Sequence, residues 1–532
     1  MKNQKITYVA IIGLVLMGGY FVFNNNTIYP KPEVQESAVV ELKNGDTYDL
    51  TAGYVTKVVG GKQHTMLAYN GSIPGPTIRV AQGAEVTINF KNNTDLPALL
   101  HSHGVRMDNA FDGSQTVQKE MKPGETFVYK LKFPDAGVYW YHPHVKEVYG
   151  QALGLFGAFI VTPKGQAYFP PVNREMPIFL SDLPIENGKI AITKDDNTHS
   201  LMGHYGNILL LNGQEKFSLE AKSGEVLRLY VVNAANTRPF NFAIKGLKLK
   251  LIGADSGAYE KASFVDGVIL GPSERAIVDV LLPASGTYEI QNKTPETTYA
   301  LGTIAVANEK ADISYRGEFD TLQSNTATIQ SIDPFRTYFD WPHQRRIALS
   351  IDMMPARQSL GAGGGGMGGM GSHQMPGGTM MDDSTSLTTG GMGMMGGVPK
   401  GGIEWEDDMQ IMNEMSNKEM VKWKIVDQDT GKENMDIDWS FKRGSPVKIR
   451  IENLSNSMHP MQHPIHFHGQ RFLVVARDGI RQTNLVWKDT VLLKAGETVD
   501  IVLDISNPGV WMAHCHISEH LEAGMMMKFT VE

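Results

Sequence analysis

The sequence predicts an all-β protein built from three repeated β-sandwich domains, and two repeated patterns carry that prediction. In the first pattern a glycine is followed by apolar residues at positions +3, +5 and +7 and by an asparagine at +9. Its copies run from Gly83 to Asn92, from Gly224 to Asn233 and from Gly444 to Asn453. Alternating apolar residues after a glycine turn indicate a half-buried strand, so each third of the chain should contain an equivalent strand.

A second pattern follows each copy of the first and consists of an alternating strand, a turn and an aromatic residue. The turns run from Pro134 to Tyr139, from Pro283 to Tyr288 and from Asn507 to Trp511. Short strands at regular spacing, separated by Gly and Pro turns, are typical of β-sandwiches. We therefore predict domains at residues 36–166, 167–315 and 316–532, preceded by a separate segment at residues 1–35.

The composition argues against nucleic acid as a partner. The net charge is −8 and the isoelectric point is about 6.1, whereas a nucleic-acid-binding face requires an excess of basic residues. Hydrophobic residues make up 42% of the chain, which is ordinary for a globular protein.

The N-terminus has the features of an export signal. Lys2 and Lys5 precede the run from Ile6 to Phe23, which contains no charged residue. A positive segment before an apolar run is typical of a signal peptide, and the run is also close to the minimum length of a membrane span. We expect either a cleaved signal or an N-terminal membrane anchor. Both place the body of the protein on the periplasmic or extracellular side of a bacterial envelope.

The only cysteine of the chain lies in the motif His514-Cys515-His516, which is followed by His520 and Met525. A thiolate, imidazoles and a thioether together suit a copper site for electron transfer, with the methionine as a weak axial ligand. The two histidines beside the cysteine have a purpose if they bind further metal ions.

Three more histidine clusters accompany the cysteine motif. They are His101-Ser-His103, His142-Pro-His144 and His463-Pro-Ile-His466-Phe-His468. Any one of these histidines could be an ordinary core or surface residue, and zinc also accepts imidazole and thiolate ligands. A structural zinc site, however, does not require three H-x-H pairs together with a site of one cysteine and a spaced methionine.

These four motifs, in this order, resemble the multicopper oxidases, which include laccases, ascorbate oxidase and the bacterial periplasmic cuprous oxidases. The resemblance implies cupredoxin-like Greek-key domains and four copper ions, one of type 1, one of type 2 and two of type 3. In the middle repeat the matching positions hold Phe240, Asn241, Phe242 and Gln291, so that domain should bind no copper.

The resemblance also implies how the ligands are divided among the coppers. The type 1 site would take His463, Cys515, His520 and Met525, and the type 2 site would take His101 and His466. The two type 3 coppers would take His103, His142 and His516, and His144, His468 and His514. Residues i and i+2 of a strand share a face, so each H-x-H pair can reach a cluster between the first and last domains.

Proton delivery is expected from Asp112, because bacterial relatives have an aspartate beside the trinuclear cluster at this place. The alternative is a simple turn residue, since Gly113 follows it. Relatives often have a glutamate directly after the last type 1 histidine, but here that position is Leu521, with Glu519 and Glu522 on either side.

Residues 353–400 form an insertion rich in Met and Gly, followed by acidic residues and a short methionine stripe at Met409, Met412 and Met415. Thioethers are soft ligands that select Cu(I), although a flexible linker and a core-packing stripe are the alternatives. Together with Asp408, this region resembles the substrate site of cuprous oxidases.

Met461 occupies a place where cuprous oxidases carry a substrate-binding methionine. Nearby, the chain departs from those relatives, because His459 stands where they have aspartate.

The predicted activity couples one-electron oxidation of a substrate at a type 1 copper to reduction of O2 to water. The expected substrate is Cu(I), with a role in copper tolerance. A laccase acting on phenols and a Mn(II) oxidase are alternatives, and a copper-sequestering or delivery protein is an alternative of another class.

Overall fold

The computed structural model describes residues 31–165, 168–353 and 397–532. The apolar run at residues 6–23 and most of the Met/Gly-rich insertion lie outside these ranges, so the predictions for them stay predictions. Among the described residues, no helix combines the length and the apolar character that crossing a membrane requires. Strands predominate over short helices, which confirms the all-β class.

The first sandwich, at residues 39–162, consists of a five-stranded and a four-stranded sheet with the orders β1-β4-β9-β8-β6 and β3-β2-β5-β7. Its strands are β1 (Val39–Leu42), β2 (Thr47–Val59), β3 (Lys62–Tyr69), β4 (Thr77–Ala81), β5 (Glu85–Asn92), β6 (Leu100–His103), β7 (Thr126–Lys132), β8 (Gly137–Pro143) and β9 (Gly157–Thr162). The helical elements are a 3₁₀ turn at Asn109–Phe111 and α1 (Glu147–Ala152). Both sheets contribute side chains to one buried core.

The middle sandwich, at residues 174–310, has sheets with the orders β13-β10-β15-β20-β17-β18 and β14-β22-β21-β16-β19, and a separate β11-β12 hairpin. Its strands are β10 (Arg174–Leu183), β11 (Ile185–Glu186), β12 (Lys189–Ile190), β13 (Ile208–Leu211), β14 (Phe217–Ser223), β15 (Val226–Asn233), β16 (Phe240–Ile244), β17 (Leu249–Ala254), β18 (Gly257–Val265), β19 (Val268–Leu270), β20 (Arg275–Leu281), β21 (Gly286–Lys293) and β22 (Thr298–Lys310). Three helical elements follow, α2 (Arg316–Asp320), α3 (Thr326–Ile332) and a 3₁₀ helix at Asp333–Tyr338.

The last sandwich, at residues 345–531, has sheets with the orders β24-β23-β26-β31-β28-β29 and β25-β33-β32-β27-β30. Its strands are β23 (Arg345–Met353), β24 (Val421–Asp427), β25 (Asp438–Phe441), β26 (Val447–Asn453), β27 (His463–Phe467), β28 (Arg471–Arg477), β29 (Ile480–Arg481), β30 (Thr490–Leu493), β31 (Thr498–Asp504), β32 (Gly509–Cys515) and β33 (Met526–Val531). The helical elements are α4 (Gln410–Met415), α5 (Ser518–Glu522) and 3₁₀ turns at Lys400–Gly402 and Asn434–Asp436.

The asparagine that ends the first repeated pattern holds the loop that leads to the next strand. The Asn92 side chain donates to the carbonyl of Leu96, that of Asn233 to Arg238, and that of Asn453 to Met461. All three side chains are buried, and a buried amide must be hydrogen-bonded. In the first and last sandwiches these loops lead directly to the strands that carry H-x-H pairs.

The aromatic residue of the second repeated pattern closes the turn before it. The Tyr139 hydroxyl donates to the carbonyl of Asp135, the Tyr288 hydroxyl to Ala284, and the Trp511 indole to Asn507. Each bond reaches back four residues. The aromatic ring therefore fixes the start of the strand that, in the first and last sandwiches, ends in metal-ligand candidates.

The predicted half-buried strand is wrong for β15, which is buried along its whole length. Leu227 and Leu229 face the core of the middle sandwich. On the opposite face, Tyr230 and Val232 pack in a cluster with Val138 and other residues of the first sandwich. The middle sandwich is thus covered on both sides of this sheet, whereas β5 alternates between buried and more exposed positions as predicted.

Candidate metal centres

Cys515, His463 and His520 form a small cluster in the last sandwich. Cys515 ends β32 and pairs across the sheet with Ile465 of β27, the strand that begins at His463. The Cys515 Sγ lies 3.6 Å from His463 Nδ1 and 3.8 Å from His520 Nδ1, and the two nitrogens are 3.3 Å apart. Three donor atoms of the kind that copper prefers therefore converge on one point.

Burial influences the protonation state of these side chains. It lowers the pKa of His463 to about 3, and it raises the pKa of the Cys515 thiol. The histidine is therefore neutral, while a metal ion would be needed to hold the cysteine as a thiolate. Met525 is fully buried in the same core, and its carbonyl accepts a hydrogen bond from the Cys515 amide.

Eight further histidines form a second, larger cluster between the first and last sandwiches. In the first sandwich, His101 of β6 pairs with His142 of β8, and in the last sandwich His466 pairs with His514. The two sets interleave, because the His103 ring stacks on His466 at 3.7 Å and His101 stacks on His468 at 4.1 Å. All eight are buried, namely His101, His103, His142, His144, His466, His468, His514 and His516.

The ring nitrogens of this cluster fit a group of metal ions. Within the described residues, the Nε2 atoms of His101, His142 and His466 are buried without a hydrogen-bond partner, while their Nδ1 atoms bond to backbone carbonyls. Burial lowers the pKa of every histidine in the cluster, so the rings are neutral. Buried lone pairs that converge in this way require ligands, and several triads of them lie within 4.8 Å of one another.

The two clusters are joined through the protein chain. Cys515 belongs to the smaller cluster, and its neighbours His514 and His516 both belong to the larger one. Cys515 is therefore joined by one peptide bond on each side to a ligand candidate of the larger cluster.

Asp112 is buried against the larger cluster. Its carboxylate accepts a hydrogen bond from His468 Nδ1 at 3.0 Å, and its backbone carbonyl accepts from His101 Nδ1 at 2.7 Å. It also precedes Gly113, whose φ of 74° is left-handed, so it is a turn residue as well. The two roles considered for Asp112 are therefore compatible.

Two acidic residues beside the histidines escaped the sequence analysis. The Asp489 carboxylate accepts a hydrogen bond from His103 Nε2 at 3.0 Å. The carboxyl of Glu147 is buried 3.8 Å from His516 Nδ1, and burial raises the pKa of Glu147 well above its usual value. Neither residue lies in a recognisable motif, so only the three-dimensional structure reveals them.

The acidic residues on either side of Leu521 bond to partners other than the histidines of the larger cluster. The Glu519 carboxylate accepts hydrogen bonds from His204 Nδ1 and from the Thr237 hydroxyl, both in the middle sandwich. Glu522 pairs with Lys418. A cavity of about 300 Å³ is lined by Leu521 together with His144, Glu147 and Glu522.

The smaller cluster is covered by Trp423 and by a loop from the middle sandwich. The Trp423 ring stacks on His520 at 4.1 Å, and its indole donates to the carbonyl of Ser200. Leu201 and Met202 of the same loop pack into the core that contains Cys515. None of the three donor side chains is exposed.

The methionines near this cluster divide into buried and exposed groups. Met461 is fully buried in the core that contains Cys515, and Met409 is partly buried against that core. Met412 and Met415, on α4, are 37% and 70% exposed. The core-packing alternative is therefore wrong for these two residues.

Acidic residues lie close in sequence to the exposed methionines. Asp408 is exposed, and Asp407 accepts hydrogen bonds from the amide of Met409 and the side chain of Asn413. Burial and the nearby Asp408 and Asp407 raise the pKa of Glu404 to about 7. His459, which replaces an aspartate of the relatives, is buried near the Trp423 ring.

Comparison with known proteins agrees with this geometry. Family models described as multicopper oxidase match residues 51–166, 174–310 and 405–532. The chain is 25% identical to "Multicopper oxidase mco" of Staphylococcus aureus, over 96% of this chain and 94% of the relative. It is 24% identical to "Copper resistance protein A" of Escherichia coli, over the whole of both chains.

The fold is also shared with solved structures. A multicopper oxidase from Campylobacter jejuni, described as a metallo-oxidase, has a TM-score of 0.67 at 23% identity, and the match covers 94% of this chain and 96% of that one. The three sandwiches are thus of the cupredoxin-like type, and each corresponds to one of the matched stretches. The chain belongs to the multicopper oxidase family and is a copper-containing oxidoreductase that uses O2.

Proposed function

We propose that this oxidase acts on Cu(I) and contributes to copper tolerance. In this proposal His463, Cys515, His520 and Met525 hold the type 1 copper, and His101 and His466 hold the type 2 copper. One type 3 copper takes His103, His142 and His516, and the other takes His144, His468 and His514. When bound, the coppers supply one-electron oxidation of the substrate and four-electron reduction of O2 to water.

Residues of the protein connect the two copper centres and exclude bulk water from the type 1 ligands. Cys515 links the type 1 ligands to the trinuclear ligands His514 and His516 through the backbone alone. The fully buried Trp423 packs against His520, so that bulk water is kept from the type 1 ligands. Asp112 accepts hydrogen bonds from His101 and His468, and in this proposal its carboxylate passes protons to the trinuclear site.

The observation that carries the choice of substrate is the arrangement of methionines around a covered type 1 site. Met412 and Met415 are exposed thioethers beside acidic residues, while Met461 lies buried in the core that contains Cys515. Thioethers select Cu(I), and carboxylates attract cations. The Trp423 ring and the Ser200–Met202 loop leave the type 1 ligands buried, which favours a small ion over a phenol.

The site of action that fits this proposal is outside the cytoplasm. The charge pattern of Lys2, Lys5 and the apolar run at residues 6–23 supports export or anchoring at the bacterial envelope. Copper that enters a cell passes this compartment first, so oxidation there would protect the cytoplasm.

The test removes thioethers without removing apolar volume. A double variant, Met412→Leu with Met415→Leu, should raise KM for Cu(I) several-fold and leave phenol oxidation unchanged. Met435→Leu is the matched control, because Met435 is 39% exposed in the last sandwich, on a different helical turn. Deletion of residues 357–398 should likewise reduce Cu(I) oxidation most.

Steady-state O2 uptake with Cu(I), a phenol and Mn(II) measures all three substrates on the same copper-loaded protein. Equal losses for every substrate would mean that the methionine region is structural. Unchanged Cu(I) oxidation after the deletion and in the double variant would refute the cuprous-oxidase proposal and favour a laccase.

A further inference from the structure

A buried ion pair joins the middle sandwich to the trinuclear site. Arg275 begins β20 of the middle sandwich, and Asp489 directly precedes β30 of the last sandwich. Both side chains are fully buried. The Arg275 guanidinium donates from Nη1 and Nη2 to the two carboxylate oxygens of Asp489, which is the bidentate geometry of a strong pair.

Arg275 also contacts the other parts of the molecule. Its Nε donates to the carbonyl of Val138 in the first sandwich, and its Nη1 donates to the carbonyl of Ser273 in the middle sandwich. Its backbone amide donates to Asp255. The guanidinium is therefore fixed by partners in all three sandwiches, and it holds the Asp489 carboxylate in one orientation.

The fixed carboxylate decides which nitrogen of His103 faces the cluster. The Asp489 Oδ1 accepts from His103 Nε2, so the proton resides on Nε2 and the lone pair on Nδ1. His103 Nδ1 is buried and has no hydrogen-bond partner within the described residues. In His101, His142 and His466 the arrangement is the reverse. Nδ1 is hydrogen-bonded, and Nε2 has no hydrogen-bond partner within the described residues.

The backbone beside His103 is shaped to admit this pair. Gly104 follows His103 with a φ of 81°. A Cβ atom at that position would lie 2.3 Å from Asp489 Oδ2 and 2.9 Å from Arg275 Nη2. Only glycine allows the ion pair to approach the ligand strand so closely.

We propose that Arg275 of the copper-free middle sandwich is a positioning residue for the trinuclear site. It acts through Asp489, whose carboxylate fixes the tautomer and orientation of His103. This inference rests on the proposed assignment of His103 to a type 3 copper. It gives the middle sandwich a part in metal binding although it supplies no ligand to the cluster.

The decisive variant is Arg275→Lys, which keeps the positive charge and loses the bidentate fork. Arg228→Lys is the matched control. Arg228 lies in the same sheet and is also buried, and it donates from Nε and Nη2 to the two carboxylate oxygens of Asp279, without any bond to the histidine cluster. Both variants lose a buried bidentate pair, so a purely structural role would affect them alike.

The readouts are copper stoichiometry and the separate spectra of the type 1 and trinuclear coppers. We expect Arg275→Lys to keep the type 1 absorption band and to bind trinuclear copper about 10- to 100-fold more weakly. Arg228→Lys should retain full copper with at most a lower unfolding temperature. Full trinuclear occupancy in Arg275→Lys would overturn the proposal.

Asp489→Asn keeps the test decisive if Arg275→Lys does not fold. Arg275 would claim the amide oxygen, which leaves the amide N–H to face His103 Nε2 and favours the other tautomer. Loss of trinuclear copper is expected, and an intact cluster would refute the role of the pair. His103→Ala tests the ligand role of His103 separately from the role of the ion pair. Full trinuclear occupancy in that variant would refute the assignment of His103 to a type 3 copper.

Discussion

At the scale of single residues, the chemistry of the proposed type 1 site depends on the burial of its ligands. His463, His520 and Cys515 have little or no exposure, and burial disfavours charge on each of them. Burial therefore favours the neutral imidazoles, whereas the thiol needs the metal ion to lose its proton. Metal binding and thiolate formation should occur together at this site.

Exchange of the only cysteine tests this coupling. Cys515→Ser should abolish the intense visible absorption and reduce O2 uptake to background, because the thiolate is both the chromophore and the link to His514 and His516. His516→Ala should keep the visible band and still lose O2 reduction. Absorption spectra and O2 uptake on both variants are the measurement. A Cys515→Ser protein that still reduced O2 with electrons supplied through the type 1 site would contradict the assignment.

Asp112 offers a second test at this scale. Asp112→Asn keeps the shape and an oxygen acceptor for His468, but it removes the group that can release a proton. Reoxidation of the reduced enzyme by O2 should slow by about 10- to 100-fold, while reduction of the type 1 copper by substrate is unchanged. Stopped-flow absorption follows the two half-reactions separately. A normal reoxidation rate would leave Asp112 with its turn role alone.

The sequence could predict the ligand candidates and Asp112, but not Asp489 and Glu147, which lie beside them. Ligand chemistry is local, and H-x-H spacing alone places two imidazoles on one strand face, as in β6. Asp489 and Glu147 become neighbours of the histidines only through tertiary packing, across hundreds of residues in the case of Asp489 and His103. Such contacts leave no signal in a single sequence.

At the scale of elements, the repeated patterns predicted the strands well because they contain their own turn chemistry. The side chains of Asn92, Asn453 and Trp511 donate hydrogen bonds to backbone carbonyls that are close in sequence. These bonds therefore recur wherever the pattern recurs. The burial of β15 could not be predicted in this way. It depends on the first sandwich covering Tyr230 and Val232, which is a contact between distant parts of the chain.

The turn after Asp112 provides a test of an element. Gly113 and Gly124 have φ values of 74° and 84°, so alanine costs about 1–2 kcal/mol at either position. A Cβ at Gly113 would also lie 1.9 Å from the carbonyl oxygen of Leu100 on β6, whereas nothing lies within 4 Å at Gly124. Gly113→Ala should therefore cost about 1–3 kcal/mol more.

The two alanine variants are compared by thermal unfolding and by copper content. Gly113→Ala should unfold at a clearly lower temperature than Gly124→Ala and bind less trinuclear copper, because β6 carries His101 and His103. Equal unfolding temperatures for the two variants would show that the turn relaxes without disturbing the ligand strand.

At the scale of the whole molecule, the middle sandwich connects the two sandwiches that carry the proposed copper ligands. It supplies none of those ligands itself. Its β20 carries Arg275 to Asp489 beside the larger histidine cluster, and its Ser200–Met202 loop packs over the smaller cluster that contains Cys515. Glu519, one residue before His520, is held by His204 and Thr237 of the same sandwich. The middle sandwich therefore holds residues of the last sandwich that lie beside both clusters.

Because the proposed trinuclear ligands come from the first and last sandwiches, copper should stabilise the assembly of both. A ligand that binds only the folded state raises stability in proportion to the logarithm of its concentration over Kd. We expect the copper-free protein to unfold at a lower temperature than the loaded one. Cys515→Ser, which loses only the type 1 copper, should retain most of the difference, whereas His466→Ala should lose most of it, since His466 stacks on His103 across the interface. Differential scanning calorimetry of the four proteins, each with its copper content measured, provides the comparison. If Cys515→Ser lost as much stability as His466→Ala, the stabilising copper would belong to the last sandwich alone.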